Sequence, residues 1–164
     1  MIRIAALALM LGLTLPAFAQ KAKDYGTLFP AIGGMYKTKI DKAELGTGDS
    51  IKTYSQVCTY TSTDANLPAE TLIVTIAHDP AFKEKYSAEA IKKEKTPPKE
   101  VKVGKKKAYL WDLGDNKKRL VVVLGDEKAV TVEQTGNNQD LAKWAAKWKV
   151  DLIEKALDTP PAVK

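Results

Sequence analysis

The pattern of hydrophobic and polar positions predicts two strands in the middle of the chain. The segment Tyr54 to Thr61 is dense in aromatic and β-branched residues, and Leu72 to Ala77 is a compact apolar run, so both are predicted to be strands. Ser62 to Glu70 connects them and is rich in turn-forming residues, which favours an antiparallel hairpin.

Four further strands with short polar connections are predicted in the second half of the chain, which indicates a meander. They are Glu100 to Val103, Lys107 to Leu113, Arg119 to Leu124 and Ala129 to Thr135. The turn positions between them hold Gly104, Gly114 to Asn116 and Gly125-Asp126. Because Leu120 to Leu124 lacks alternation, this run is predicted to lie centrally in the sheet with both faces covered.

Two longer helices are predicted from apolar residues at helical spacing. A mid-chain helix begins at Asp79-Pro80, where the carboxylate can cap free amides, and continues to Lys95 with Phe82, Tyr86 and Ile91 on its apolar side. The longest helix is predicted over Asp140 to Leu157. Its apolar stripe consists of Leu141, Trp144, Ala145, Trp148, Leu152 and Ile153. The two indoles of this stripe are expected to pack against the sheet as core.

The first part of the mature chain has weaker patterns. Asp24 to Ile32 fits a short amphipathic helix that Gly33-Gly34 would end, Tyr36 to Ile40 fits a short strand, and Gly46 to Ser50 fits a turn. Together the patterns predict an α+β fold, in which an antiparallel meander packs with a long C-terminal helix and a mid-chain helix.

Residues 1–19 read as a secretory signal peptide, with Arg3, an apolar stretch and the small-x-small cleavage site Ala17-Phe18-Ala19. We therefore expect a periplasmic or secreted protein, with one domain over 20–158 and a disordered tail at 159–164. No transmembrane segment is expected, because no apolar stretch reaches the roughly 20 residues that span a bilayer. We expect a monomer.

The charge of the chain is modestly positive, at +6, and would fall to +5 with the loss of Arg3. Arg119 is then the only arginine, so the chain shows little sign of nucleic-acid recognition, which favours arginine for bidentate phosphate contacts. Six basic residues in two turns form a candidate surface for an acidic protein or an anionic envelope component. They are Lys105, Lys106, Lys107, Lys117, Lys118 and Arg119.

Candidate chemistry is sparse. His78 beside Asp79 is the one histidine, and Cys58 is the one cysteine. These two side chains could form a thiolate–imidazole pair, which is the sharpest enzyme hypothesis, although Cys58 in a strand-like run also fits a buried apolar residue. The sequence lacks a G-x-S-x-G elbow, a P-loop and a calcium loop, so no catalytic residue, metal or cofactor is predicted.

The order of elements resembles the small secreted bacterial domains related to PsbP and to the LpqN-type envelope proteins. The segments that carry the resemblance are Gln56-Val57-Cys58-Thr59-Tyr60, Val103 to Tyr109, Leu120 to Asp126, Ala129 to Val132 and the final alanine-rich helix. The resemblance implies an α/β sandwich built on an antiparallel sheet and a non-enzymatic binding or accessory role. The chain lacks the cysteine anchor of the lipoprotein members.

The sequence therefore predicts a non-enzymatic periplasmic binding or accessory protein whose ligand it does not identify. Two alternatives stay open: a small periplasmic enzyme that uses Cys58 and His78, and a basic interaction or inhibitor module for an acidic partner.

Overall fold

A computed structural model describes residues 25–46, 53–62, 69–136 and 140–160. The predicted signal peptide and most of the predicted turn at 46–50 lie outside these ranges. The described strands are β1 Met35–Ile40, β2 Glu44–Leu45, β3 Tyr54–Ser62, β4 Thr71–His78, β5 Lys99–Val103, β6 Lys106–Gly114, β7 Lys117–Val123 and β8 Lys128–Thr135.

These strands form one sheet in the order β1-β3-β4-β8-β7-β6-β5, and β2 pairs with the start of β3. Every pairing is antiparallel. The predicted β3–β4 hairpin and the β5–β8 meander are both confirmed. After β4 the chain crosses to the far edge of the sheet and returns through the meander, so that β8 pairs with β4.

The sheet buries side chains on both faces. Leu120 and Val122 point into the main core, whereas Val121 between them belongs to a second cluster with Tyr109 and Trp111. The prediction that this apolar run has both faces covered is therefore confirmed. We call the face of the main core the C-terminal face and the other the mid-chain face, after the helices that cover them.

Two short helices, not one, cover the mid-chain face: α1 Phe82–Lys85 and α2 Ala88–Lys92. The Asp79 carboxylate accepts a hydrogen bond from Ala81 N at 2.9 Å, but α1 begins later than predicted, and its N-cap is Ala81, which makes no side-chain capping hydrogen bond. The prediction of one continuous helix to Lys95 is wrong. The chain leaves the helical path at Tyr86, and the Ser87 hydroxyl accepts from Ala90 N at 3.1 Å to start α2.

The predicted long C-terminal helix is also divided, into α3 Leu141–Ala145 and α4 Val150–Ala156. Asp140 caps α3 by accepting from Lys143 N at 3.1 Å. The division changes which residues are buried. Val150 and Ile153 lie in the core, whereas Leu152, which the continuous helix would bury, is 54% exposed.

Tyrosine hydroxyls bind the end of α4 to the C-terminal face. Tyr54 Oη donates to Leu157 O, and Tyr25 Oη donates to Thr159 O. Two ion pairs join the same helical layer to the sheet, Lys106 with Glu154 and Lys128 with Asp158. These contacts fix α4 against the sheet and so position the side chains along this helix.

The first helix is shorter than predicted: only Tyr25–Leu28 is helical, as a 3₁₀ helix. Its Tyr25 side chain, with the nearby Phe29 and Ile32, is buried in the main core, and the predicted strand after it is confirmed as β1. Thr159, which the sequence assigned to a disordered tail, is buried through its contact with Tyr25.

Candidate functional site

The six predicted basic residues lie at opposite ends of one hairpin. Lys105 is in the β5–β6 turn and Lys106 and Lys107 begin β6, whereas 117–119 begin β7. In the register Lys118 lies opposite Asp112, five positions along β6 from Lys107. At about 3.4 Å per residue the two groups are roughly 17 Å apart, so the structure does not bring them together.

Carboxylates neutralise several of these charges within the protein. Lys106 Nζ lies 2.5 Å from Glu154 Oε2, and Lys107 Nζ lies 3.2 Å from Glu100 Oε2. Arg119 contacts Glu133 through Nε at 3.0 Å and Nη2 at 2.9 Å. A binding role for these residues stays a prediction, and it would have to compete with the internal pairs.

Cys58 and His78 do not form a pair. In the β3–β4 register Cys58 lies opposite Val74 and His78 lies opposite Tyr54, four positions away, or roughly 13 Å. The thiol is fully buried, and burial raises the pKa of Cys58, with a smaller lowering by Tyr60. A buried, protonated thiol is a weak nucleophile.

His78 makes packing and polar contacts instead. Its ring stacks on Tyr54 with 4.8 Å between centroids, and its Nε2 lies 3.3 Å from Glu127 Oε2. Across the described ranges, no group of three or more histidine, cysteine, aspartate or glutamate side chains is placed to hold a metal ion.

The candidate site that the structure reveals is a groove between the 3₁₀ helix and α4, which we call the α4 groove. Its volume is about 240 Å³. Most of its wall is apolar, and lysines rim it where α3 passes into α4. The lining residues are Thr27, Leu28, Pro30, Lys147, Trp148, Lys149, Leu152 and Ile153.

The lining of the α4 groove includes an unusually exposed leucine. Leu152 is 54% exposed, more than any other large hydrophobic side chain in the described part of the molecule. Ile153 beside it is buried and belongs to the main core. The groove therefore offers an open apolar surface that is continuous with the main core, as small-molecule sites often do.

Trp148, one of the lining residues, carries a buried hydrogen-bond donor without a partner among the described residues. The side chain is 6% exposed, and its Nε1 has no acceptor among the described residues. A buried donor without a partner costs about 1–3 kcal/mol. Trp148 also packs edge-to-face on Trp144, with centroids 4.5 Å apart, so the predicted core role of the two indoles agrees with their burial.

The rim lysines differ from the basic residues that the sequence singled out. Lys147 and Lys149 are exposed, and neither has a carboxylate partner among the residues that the structure describes. Their charge is therefore available to an anion at the mouth of the α4 groove.

Sequence reasoning missed this site because the long-helix prediction placed Leu152 in the core. A different stripe, Val150, Ile153 and Leu157, has the i, i+3, i+7 spacing of a separate short helix and leaves Leu152 outside. That spacing is the signal that would have found the exposed leucine. The other wall, Leu28 and Pro30, comes from more than 110 residues earlier and has no local signal.

Comparison of the chain with protein-family models, with curated proteins and with solved structures gives no match. The helices in the described ranges are all too short or too polar to cross a lipid bilayer.

Proposed function

We propose that the protein is a non-enzymatic binding or accessory protein of the periplasm or the cell exterior, and that the α4 groove is its binding site. The observation that carries the proposal is Leu152, a largely exposed side chain in an apolar groove that is also lined by Trp148, whose buried indole N–H has no acceptor among the described residues. Leaving such a surface in water costs free energy that a ligand recovers on binding.

Two features of the sequence support the cellular location and the class. The signal-peptide pattern of residues 1–19 favours export. The resemblance to PsbP-like and LpqN-type domains implies a binding or accessory role, and an antiparallel sheet with helices on both faces is compatible with their α/β sandwich. Resemblance of this kind does not identify a ligand.

The alternatives have less support. An enzyme based on Cys58 and His78 would need a rearrangement of roughly 13 Å in a paired hairpin. A basic interaction module would have to replace the internal ion pairs of Lys106, Lys107 and Arg119 with pairs to a partner. The α4 groove needs neither change.

A neutral fluorescent dye, N-phenyl-1-naphthylamine, tests the groove as an apolar site. We expect the dye to bind the wild-type protein. Leu152→Ser should weaken binding about fivefold, because the lost apolar contact contributes about 1 kcal/mol of binding free energy. Leu113→Ser is the matched control, because Leu113 is 46% exposed and lies on β6, away from the groove. Equal affinities for the wild type and the Leu152 variant would contradict the proposal.

A further inference from the structure

We infer, resting on the proposed binding function of the α4 groove, that its ligand is a single-chain amphiphile with a carboxylate head group. The head group contacts Lys147 and Lys149, and the alkyl chain lies along Leu28, Leu152 and Ile153. The inference follows from the charge, the size and the unpaired donor of this groove.

Positive charge is concentrated on one part of the groove lining. Lys147 and Lys149 both lie in the α3–α4 connection, and neither has a carboxylate partner in the described ranges. By contrast, the two lysines that join the sheet to the same helical layer, Lys106 and Lys128, are both paired. The rim therefore attracts an anion, whereas the rest of the wall accepts hydrocarbon.

Size favours one chain over two. The volume of about 240 Å³ is below the roughly 300–1,000 Å³ that is usual for drug-sized ligands. A single alkyl chain fits such a groove, whereas a two-chain phospholipid would leave much of its hydrocarbon in water. A lysine ammonium is a compact point charge, so the rim can pair with a small anionic head group such as a carboxylate.

Trp148 provides the third point of complementarity. The buried Nε1–H lacks an acceptor among the described residues, and Trp148 lies between the two rim lysines in the sequence and forms part of the groove wall. A carboxylate brings oxygen acceptors with a full negative charge, which make the stronger class of hydrogen bond. A neutral alcohol offers a weaker acceptor, and a quaternary ammonium offers none.

Three probes with the same alkyl chain test the inference: decanoate, decanol and decyltrimethylammonium, each titrated as a monomer with tryptophan emission as the readout. We expect decanoate to bind about fivefold more tightly than decanol, because two exposed ion pairs to the rim lysines add a modest electrostatic attraction. The cationic probe should bind most weakly. The preference for decanoate should shrink as salt concentration rises.

Variants of the rim lysines test whether these residues cause the preference for decanoate. Lys147→Gln with Lys149→Gln should remove the preference for decanoate and leave the affinity for decanol within about twofold, since only the charge term changes. Lys99→Gln with Lys102→Gln, on the exposed edge strand β5, is the matched control and should keep the preference. Trp148→Phe keeps an aromatic ring and should weaken decanoate more than decanol.

The outcomes separate this inference from the proposed function. Equal binding of decanoate and decanol, both weakened by Leu152→Ser, overturns the carboxylate preference and leaves the apolar site standing. Failure of all three probes and of the neutral dye overturns both. Binding only to anionic phospholipid vesicles, with none to monomeric decanoate, also overturns the inference, because the partner would then be a membrane surface.

Discussion

The two faces of the sheet are covered to different extents. The mid-chain face has a cluster of five buried apolar side chains, four from the sheet and Ile91 from α2, whereas the C-terminal face buries most of the remaining core under the 3₁₀ helix, α3 and α4. The covering helices are short on both faces, so neither layer is stable without the sheet. Stability should therefore depend mainly on how each layer is attached.

Attachment differs between the faces as well. On the C-terminal face two tyrosine hydroxyls donate to carbonyls at the end of α4, and two ion pairs join the layer to the sheet. On the mid-chain face a side-chain hydrogen bond joins Trp111 Nε1 to Glu94 Oε2 at 2.6 Å, and Lys83 on α1 forms only an exposed ion pair with Asp126 at 3.6 Å, a type of contact that adds little stability. The comparison indicates that the C-terminal layer carries the larger share of the folding free energy.

The largest expected effect is that of Trp148→Ala. Removing this buried indole should lower the free energy of unfolding by about 3–5 kcal/mol, as for other large-to-small core substitutions. Urea denaturation measures the change. A variant of wild-type stability that no longer binds the neutral dye would instead make Trp148 a binding platform with little part in the core.

The next effect is a loss of stability in alkaline solution that originates on the C-terminal face. Burial raises the pKa of Tyr25, Tyr54 and Tyr60 above the ordinary 10.0. Above about pH 10 the unfolded chain therefore loses protons that the folded protein retains, and the free energy of unfolding falls as pH rises. The stabilisation that these raised pKa values provide is present in full below pH 10. Above pH 10 each tyrosine lowers the free energy of unfolding by about 1.4 kcal/mol per pH unit, until the pH reaches its pKa in the folded protein.

Tyr60→Phe tests this alkaline effect. The variant loses the hydrogen bond from Tyr60 Oη to Pro30 O, of 2.8 Å, and should be about 1 kcal/mol less stable at neutral pH. Its stability should also fall less steeply above pH 10, because one raised pKa is gone. Denaturation at a series of pH values gives both quantities, and an unchanged slope would rule out Tyr60 as a contributor.

A matched pair of isoleucine substitutions compares the two layers directly. Ile153→Ala on α4 should cost about 3–4 kcal/mol, and Ile91→Ala on α2 about 2 kcal/mol, within the range for buried isoleucine. The smaller cluster around Ile91 has more room to relax. Amide hydrogen exchange should show faster opening of 82–92 in the Ile91 variant alone. Equal costs would mean that both layers contribute alike.

The sheet could be predicted from the sequence because its signals are local. Aromatic, β-branched and apolar runs indicated β3 and β4, and glycine, asparagine and aspartate marked turns such as Gly114 to Asn116, where all three residues have positive φ. Strand ends were predicted within one or two residues. The strand order was harder to predict from the sequence, because the pairing of β8 with β4 depends on a crossover through two helices.

Helix continuity and the candidate site could not be predicted in the same way. Residues 146–149, Ala-Lys-Trp-Lys, favour a helix by propensity, and yet the chain leaves the helical path there, with Lys149 at φ −80° and ψ 63°. Trp148 and Val150 are both buried, and one continuous helix could not turn both toward the sheet because residues two positions apart do not share a face. Because the α4 groove depends on this break in the helix, local sequence patterns could not predict the groove either.

The smallest expected effect compares one indole from each face. Trp111 and Trp148 are both 6% exposed, so Trp→Phe removes a similar buried volume at the two sites and leaves the polar atom as the main difference. Trp111→Phe loses a hydrogen bond to the Glu94 carboxylate, whereas Trp148→Phe removes a donor that has no acceptor among the described residues. We therefore expect Trp111→Phe to be the more destabilising by about 1 kcal/mol.

Decanoate should change the difference in stability between Trp111→Phe and Trp148→Phe in a defined direction. A ligand that binds only the folded protein raises its stability in proportion to the logarithm of its concentration over its dissociation constant. If a carboxylate accepts from Trp148 Nε1, saturating decanoate should stabilise Trp111→Phe, which keeps that donor, more than Trp148→Phe. The stability difference between the two variants should therefore narrow. Denaturation with and without decanoate measures it, and an equal gain in both variants would show that the indole N–H takes no part in binding.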